Sequence, residues 1–442
     1  QVSFCVAASM MLRAIVLIAL SAAELPPEDQ PVVGSATDSA AAVRPAFADF
    51  LEEFDKVYAE EEVPLRFKTF EENYRRVLEH NTMASPYTLG INEFADLTEE
   101  EFAAKHLGFN GSGTAFESWP YLGDHLESAV VASSLDWRDR GAVTPVKNQG
   151  QCGACWTFSA TGGLEGAGKL TTGDLVSLSE QEILDCSPSQ GCGGGNMGIA
   201  FSFAKTHTIT VEESYPYTAQ EGTCRQESWT HGLMVHCVKG YRSVSVSESA
   251  LMSAVNQQPV SVAIGVNLAF SHYKSGVLTA DCPTKLNHAV LLIGYGTEGG
   301  NTYWLVKNSW GTRWGESGYV RLAREAASNL GKCGIQSQSS YPVLSGTCSV
   351  VPQPWLQELV KSVRFWLAMA VVLFSVGACM CVTCLGKRQR GQRRQVLPIR
   401  EARAPVILAT GTFSTAGQPL TAAPSAPPDT QEMRNVRLSR FG

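Results

Sequence analysis

The sequence predicts an α+β protein whose main domain has two halves, one led by a helix and one built of strands. Three observations predict it. Between residue 135 and about 344, a helix can form early, over 156 to about 170, while the short β-rich runs come later; that order suits α+β better than alternating βα units. Eight of the thirteen cysteines lie between Cys152 and Cys333, a density that belongs to disulfides in an oxidising compartment. Ahead of them, residues 46–107 carry apolar side chains at helical spacing and stand as a helical unit of their own.

In chain order, Met10 or Met11 serves as a start. Arg13, the apolar run from Ala14 to Leu20 and the small residues Ser21, Ala22 and Ala23 then read as a signal peptide over 10–24. Residues 46–107 hold fifteen Asp/Glu against six Lys/Arg. Phe47, Phe50, Leu51 and Phe54 share one helical face, and Phe67, Phe70, Tyr74, Val77 and Leu78 share another. A polar linker follows over 108–132, with an N-glycosylation sequon at Asn110-Gly111-Ser112. The main domain spans 133–345. Inside it, 260–264, 289–293, 303–306 and 319–322 read as strands.

Beyond a second linker at 346–364, residues 365–385 run for 21 positions without a charge. That length lets a helix cross about 30 Å of hydrocarbon. Arg364 precedes the run, and Lys387, Arg388, Arg390, Arg393 and Arg394 follow it, so the heavier basic flank belongs in the cytosol. A buried core helix is the alternative, which these flanks disfavour. The tail, 386–442, reads as disordered and carries +7, leaving −14 on the preceding residues for an overall −7. An acidic body with a basic end excludes nucleic acid as a partner and marks a membrane boundary. Cys152-Gly-Ala-Cys155 has zinc-knuckle spacing, but no second C-x-x-C accompanies it in the body, and Cys381-Val-Thr-Cys384 ends an apolar run. No metal and no cofactor are expected.

The chemistry is carried by Gln149-Gly150-Gln151-Cys152-Gly153-Ala154-Cys155-Trp156, by Asn287-His288-Ala289 and by Lys307-Asn308-Ser309-Trp310-Gly311. His288 follows Cys155 by 133 residues and Asn308 follows it by 153. Alone, His288 reads as a core histidine and Cys155 as half a disulfide. Together, on C-G-[SA]-C-[WY] with His and Asn at that distance, the chain resembles the papain family of cysteine proteases, and within it cathepsin L. The resemblance implies a helical left half, a β-barrel-like right half and a cleft between them. It makes Cys155 the nucleophile, His288 its base, Asn308 the orienter of the imidazole and Gln149 an oxyanion donor. Trp310 shields the His–Asn bond. The physics suits those types: a helix N-terminus and an imidazolium both favour the thiolate, and a preorganised amide stabilises the oxyanion.

The same resemblance pairs Cys152 with Cys192, Cys186 with Cys224 and Cys282 with Cys333, leaving Cys155 free and Cys237 and Cys348 unassigned. It places Gly194 and Gly195 along an extended peptide. It lines the pocket for the second residue before the scissile bond with Met197, Ala263, Leu286, Ala289 and Gln338. That pocket is expected to take Leu, Val or Phe. Glu62, Arg66, Phe70, Asn73, Val77 and Asn81 keep the family's interspersed E-R-F-N-I-N pattern, with Val for Ile, and Gly90, Asn92, Phe94 and Asp96 its G-x-N-x-F-x-D pattern. They imply an inhibitory pro-region that lies through the cleft in reverse. The expected protein is a monomeric endopeptidase zymogen acting on proteins or peptides. It belongs on an endolysosomal or vacuolar membrane, or at the cell surface, with a lumenal catalytic domain and one membrane helix. A silent papain-fold binding protein and a thioester-type transpeptidase are the rival readings.

Overall fold

A computed structural model describes residues 36–111, 121–126, 132–225, 232–233, 236–283, 285–324 and 328–351. The expected signal peptide, membrane run and basic tail lie outside the described residues. Among the described residues no helix is long and apolar enough to cross a membrane. Residues up to Asp49 and those from Phe50 onward are separate units. The first is helical from Ala36, as the leading part of α1 (Ala36–Glu53).

The second unit begins with the rest of the pro-region. Helix α2 (Val63–Thr82) carries Pro64 in its first turn, where a missing N–H costs nothing. It buries Phe70, Asn73 and Val77 along one face. Strand β1 (Tyr87–Leu89) follows, then α3 (Glu99–His106), opened by a reciprocal capping box between Thr98 and Glu101. Polar side chains tie these pieces together. Asn73 donates to the carbonyls of Ala95 and Leu97 at 2.9 and 3.1 Å, and Asn81 both donates to and accepts from Leu89. Asp96 accepts from Lys56 at 3.0 Å and from the Tyr58 hydroxyl at 2.5 Å. Arg66 pairs with Glu101 at 2.7 Å rather than with Glu62 one turn away, because the capping box already turns the Glu101 carboxylate inward.

Next come β2 (Tyr121–Asp124), β3 (Leu135–Asp136), α4 (Cys155–Thr172), α5 (Glu180–Cys186) and α6 (Met197–Thr206). After them lie β4 (Gly232–Leu233), β5 (Val238–Ser243), α7 (Glu248–Gln257), β6 (Val260–Ile264) and α8 (Leu268–Ser271). Strands β7 (Tyr273–Leu278), β8 (His288–Glu298), β9 (Asn301–Lys307), β10 (Tyr319–Ala323), β11 (Ser339–Leu344) and β12 (Val350–Val351) complete the described chain. The four strands read from β-rich runs all form. Helices α5, α6 and α7 each start on a side-chain cap, from Ser179, Asn196 and Ser247. The glycines of α4 lower its propensity but let it lie close to the sheet: a Cβ at Gly162 would sit 2.7 Å from Leu291.

The sheet runs β1-β7-β10-β9-β8-β6-β11-β5-β2. The half expected to be barrel-like is thus a path with two ends, and both end strands come from outside the domain bounded at 133–345. One apolar cluster gathers around α4, α5 and α6, the other around β6 to β10 and α7. Disulfides join Cys152 to Cys192, Cys186 to Cys224, and Cys282 to Cys333. A fourth joins Cys237 to Cys348, giving a role to the two cysteines that the resemblance leaves unassigned. With the pairing of β12 and β4 it carries the ordered domain to Val351.

Candidate active site

Four segments converge on one point. Cys155 is the first residue of α4 and the free cysteine among the described residues. No side chain caps that helix end, so its N–H groups and dipole face the thiol. His288 opens β8, and Asn308 follows β9; because the two strands are antiparallel, their sites fall at the same end. His288 Nε2 and Asn308 Oδ1 are 2.8 Å apart. The Trp310 ring stacks on the imidazole at 4.7 Å, closing that bond off from water. His288 Nδ1 has no hydrogen-bond partner, and it is the ring nitrogen left over for the thiol.

Gln149 is fully buried in the loop before α4. Its Oε1 accepts from the Ser309 hydroxyl at 2.6 Å, which fixes the amide so that Nε2 donates. That Nε2 gives hydrogen bonds to the carbonyls of Cys152 and His106, both at 2.9 Å. His106 belongs to the pro-region. The donor expected to hold an oxyanion is therefore occupied by the chain's own backbone.

The pro-segment goes on through the site. Gly195 donates to the Gly108 carbonyl at 2.9 Å, Asn110 donates to Gly195 at 2.9 Å, and Phe109 donates to Asn287 at 3.1 Å. Phe109 and Gly195 form a parallel bridge. Only glycine passes at position 108, where a Cβ would lie 1.8 Å from the Gly153 carbonyl oxygen. Gly194, at φ +121°, likewise faces Gly108 with no room for a side chain. Phe109 is buried in the same cluster as Met197, Ala263 and Ala289, with Leu286 packed against it. Met197, Ala263, Ala289 and the Phe109 ring thus belong to one apolar cluster, and Phe109 approaches it between Gly195 and Asn287. Gln338 sits at its edge: a Cβ on Gly111 would come within about 3 Å of both the Gln338 amide and the Phe109 ring. Its backbone carbonyl accepts from Ala263 at 3.0 Å. A cavity of about 470 Å³ lies elsewhere, lined by Leu135, Arg138, Tyr295, Tyr319 and Arg321 among others, none of them a candidate site residue.

Covering the site changes its electrostatics. Burial pushes the Cys155 thiol up to about 11, against backbone hydrogen bonds from Ala289 and Gly108 that act to lower it. Burial brings His288 down to about 4, with the Asn308 bond opposing and the nearby His106 reinforcing. For both groups desolvation is the largest influence, and it favours the neutral thiol and the neutral imidazole in the closed site. His106 itself is packed against Phe94 and Phe102 with Nδ1 2.9 Å from the Gly150 carbonyl. Burial brings it, too, down to about 4.

Sequence reasoning missed the charged cluster behind the site. Lys147, two residues before Gln149, reaches Glu180 at 2.7 Å, Glu212 at 2.9 Å and Glu165 at 3.4 Å. Lys307, just before Asn308, donates to Thr144, which donates to Glu165 at 2.6 Å. The two segments bearing Gln149 and Asn308 are pinned to one buried network. A single Glu at position 165, amid the Gly and Leu of α4, is the signal that could have pointed to it.

Comparison with known proteins gives matching results for both parts of the chain. The model of the papain family cysteine proteases matches residues 131–343, and that of the cathepsin propeptide inhibitor domain matches 47–102. A probable cysteine protease of Arabidopsis thaliana, RD21B, is 45% identical over 297 residues, covering 65% of this chain and 63% of the relative. The thiol protease SEN102 of Hemerocallis is 43% identical, with 80% of its length covered. Among solved structures, a recombinant stem bromelain precursor is 40% identical, with TM-score 0.63 over 69% of this chain and 99% of that one. A digestive procathepsin L 3 from the larval midgut of Tenebrio molitor is 37% identical, with TM-score 0.62 over 68% of this chain and 99% of that one.

Proposed function

The chain belongs to the papain family of cysteine proteases and carries the family's inhibitory pro-region, and from this we propose that it is an endopeptidase precursor acting through Cys155, His288 and Asn308. The observation that carries the reading is a free cysteine at a helix N-terminus, within hydrogen-bonding reach of the Ala289 backbone next to the His288–Asn308 pair and of Gly108 in the chain's own pro-segment.

Once that segment leaves, water re-enters, and the desolvation that favoured neutrality weakens. The Cys155 proton passes to His288, and the thiolate attacks the substrate carbonyl. Gln149 Nε2 and the Cys155 backbone N–H hold the oxyanion. His288 returns the proton to the leaving amine as the C–N bond breaks, giving a thioester. Water then attacks, with His288 taking its proton, and the carboxylic acid leaves as the thiolate is restored. Asn308 keeps the imidazole turned toward the thiol throughout. Gly194 and Gly195 pair with the extended substrate, and the pocket of Met197, Ala263, Leu286, Ala289 and Gln338 takes an apolar side chain, a reading supported by the burial of Phe109 in the same cluster as Met197, Ala263 and Ala289.

Maturation follows by cleavage in the 108–132 linker, with the new N-terminus within a few residues of Ser133. We place the catalytic domain in the lumen of an endolysosomal or vacuolar compartment, tethered by residues 365–385, on the strength of their uncharged length and basic flank. Two measurements test this. Purified Cys155→Ala, processed by added protease, should fold normally and show no peptidase turnover, and Cys155→Ser should be nearly as inert; substantial turnover by either ends the mechanism. Alkaline carbonate should leave the full chain in the membrane pellet, and its recovery in the supernatant would remove the tether.

A further inference from the structure

The stretch before the catalytic domain reads in sequence as plain linker, yet part of it is built into the sheet. Strand β2 lies parallel to β5, with Tyr121 opposite Tyr241 and Asp124 opposite Ser243. Gly123, at φ +89°, permits the bulge between those two pairings. The Arg242 guanidinium donates to the carbonyls of Leu122 and Asp124 at 3.0 and 3.1 Å, and the Tyr121 ring lies 6.1 Å from that of Tyr241. Beyond the strand, the His125 N–H donates to the Ser243 carbonyl at 2.7 Å. Its imidazole then enters the body of the domain and is 5% exposed. Nδ1 is 2.8 Å from the Tyr341 hydroxyl of β11, and Nε2 is 2.9 Å from the Ser253 hydroxyl of α7.

This is how a peptide-binding site is made: an edge strand supplies backbone pairing, and a pocket reads one side chain. Both ring nitrogens are met by hydroxyls that can donate or accept, so the pocket fits a neutral imidazole in either tautomer. None of these residues belongs to the cleft around Cys155. Cleavage near Ser133 would put the segment on the pro side of the cut, so its departure would leave β5 as an unpaired edge.

We infer that the β5 edge with the Tyr341–Ser253 pocket is a second peptide-binding site of the catalytic domain, taking an extended segment that carries histidine, and that residues 121–126 are its resident ligand in the precursor. The site holds the linker in place beside the cleavage region and can be refilled by a peptide of the same form added in trans.

Amide hydrogen exchange over 238–243 tests this in the full chain, in a Cys155→Ala background so that no self-cleavage intervenes; the readout therefore does not depend on the protein being a protease. His125→Ala should raise exchange there at least tenfold, and Tyr341→Phe combined with Ser253→Ala should do the same from the receiving side. Adding the synthetic peptide Pro-Tyr-Leu-Gly-Asp-His-Leu, residues 120–126, to the His125→Ala chain should restore protection, and the same peptide with Ala for His should not. Unchanged exchange in both variants overturns the anchoring role. A rise that no peptide reverses, or that both peptides reverse equally, overturns the site. A rise spread over the whole chain in both variants also overturns it, since it marks a structural role alone.

Discussion

The catalytic domain closes four disulfides and two apolar clusters around its cleft. The pro-region over that cleft has no disulfide among its described residues. Its helices are tied by Lys56 and Tyr58 on Asp96, by Arg66 on Glu101 and by Asn73 on two carbonyls. Disulfides and apolar burial are nearly indifferent to pH. Ion pairs and buried histidines are not. The cover shares those clusters through Phe94, Leu97, Phe102 and Phe109, and the domain holds its own Lys147 network. What sets the domain apart is therefore its disulfides: a fall in pH can loosen the cover while they hold the domain together.

The signs agree for the two groups that matter most. The Arg66 hydrogen bond holds the Glu101 carboxyl below its ordinary value. Its stabilisation is present above the ordinary carboxylate range and is lost as pH falls through the lower, folded value. His106 is held down to about 4 by burial. Between its ordinary 6.5 and about 4, the released segment takes the proton more readily than the docked one, so the docked state loses stability as pH falls across that window. His288, also near 4 under the cover, adds to the same effect. Protonated His106 and His288 would moreover repel each other.

The comparison fails first if the domain's own buried charges prove as expendable as surface ones. Lys147→Met leaves Glu165, Glu180 and Glu212 without their shared cation, and breaking such a buried pair costs about 3–5 kcal/mol. Urea unfolding of the precursor should show a loss of that size; a change below about 1 kcal/mol would mean the network is solvated. Gly108→Ala sharpens the other side. Its Cβ meets the Gly153 carbonyl, so the segment must lift off, and an epoxide thiol trap should label Cys155 at pH 7 at least tenfold faster than in the wild type. Equal labelling would show that the segment does not seal the thiol.

The smallest effect concerns Gln338. Gln338→Ala should enlarge the proposed pocket and raise the preference for Phe over Val a few-fold after processing, about 1 kcal/mol. Gln338→Glu should admit Arg. An unchanged profile in both variants would remove Gln338 from the pocket.

Much of this architecture is legible in the residues themselves. The position of α4 and the four strands follow from periodicity and β-rich runs, whereas the expectation that Cys155, His288, Asn308 and Gln149 come together rests on the family resemblance that their motifs carry. What escapes a reading of the sequence has a common cause. Strand β2 is four residues with a glycine inside, too short to alternate, and its partner lies about 120 residues away. The local i, i+4 rule would match Arg66 to Glu62 because it sees no further than one turn, whereas the capping box brings Glu101 in from another helix. The Lys147 cluster joins residues from 147 to 307 that no local pattern links. Long-range polar pairing needs the fold first.

The most direct measurement is the rate at which an epoxide thiol trap modifies Cys155 in the full-length precursor, followed by intact mass from pH 7 to pH 4. The account predicts negligible modification at pH 7, where the thiol is covered and protonated. It predicts a steep rise between about pH 6 and pH 4, with His106→Phe shifting that rise to lower pH. Labelling that is already complete at pH 7, or that does not increase as the pH falls, would contradict it.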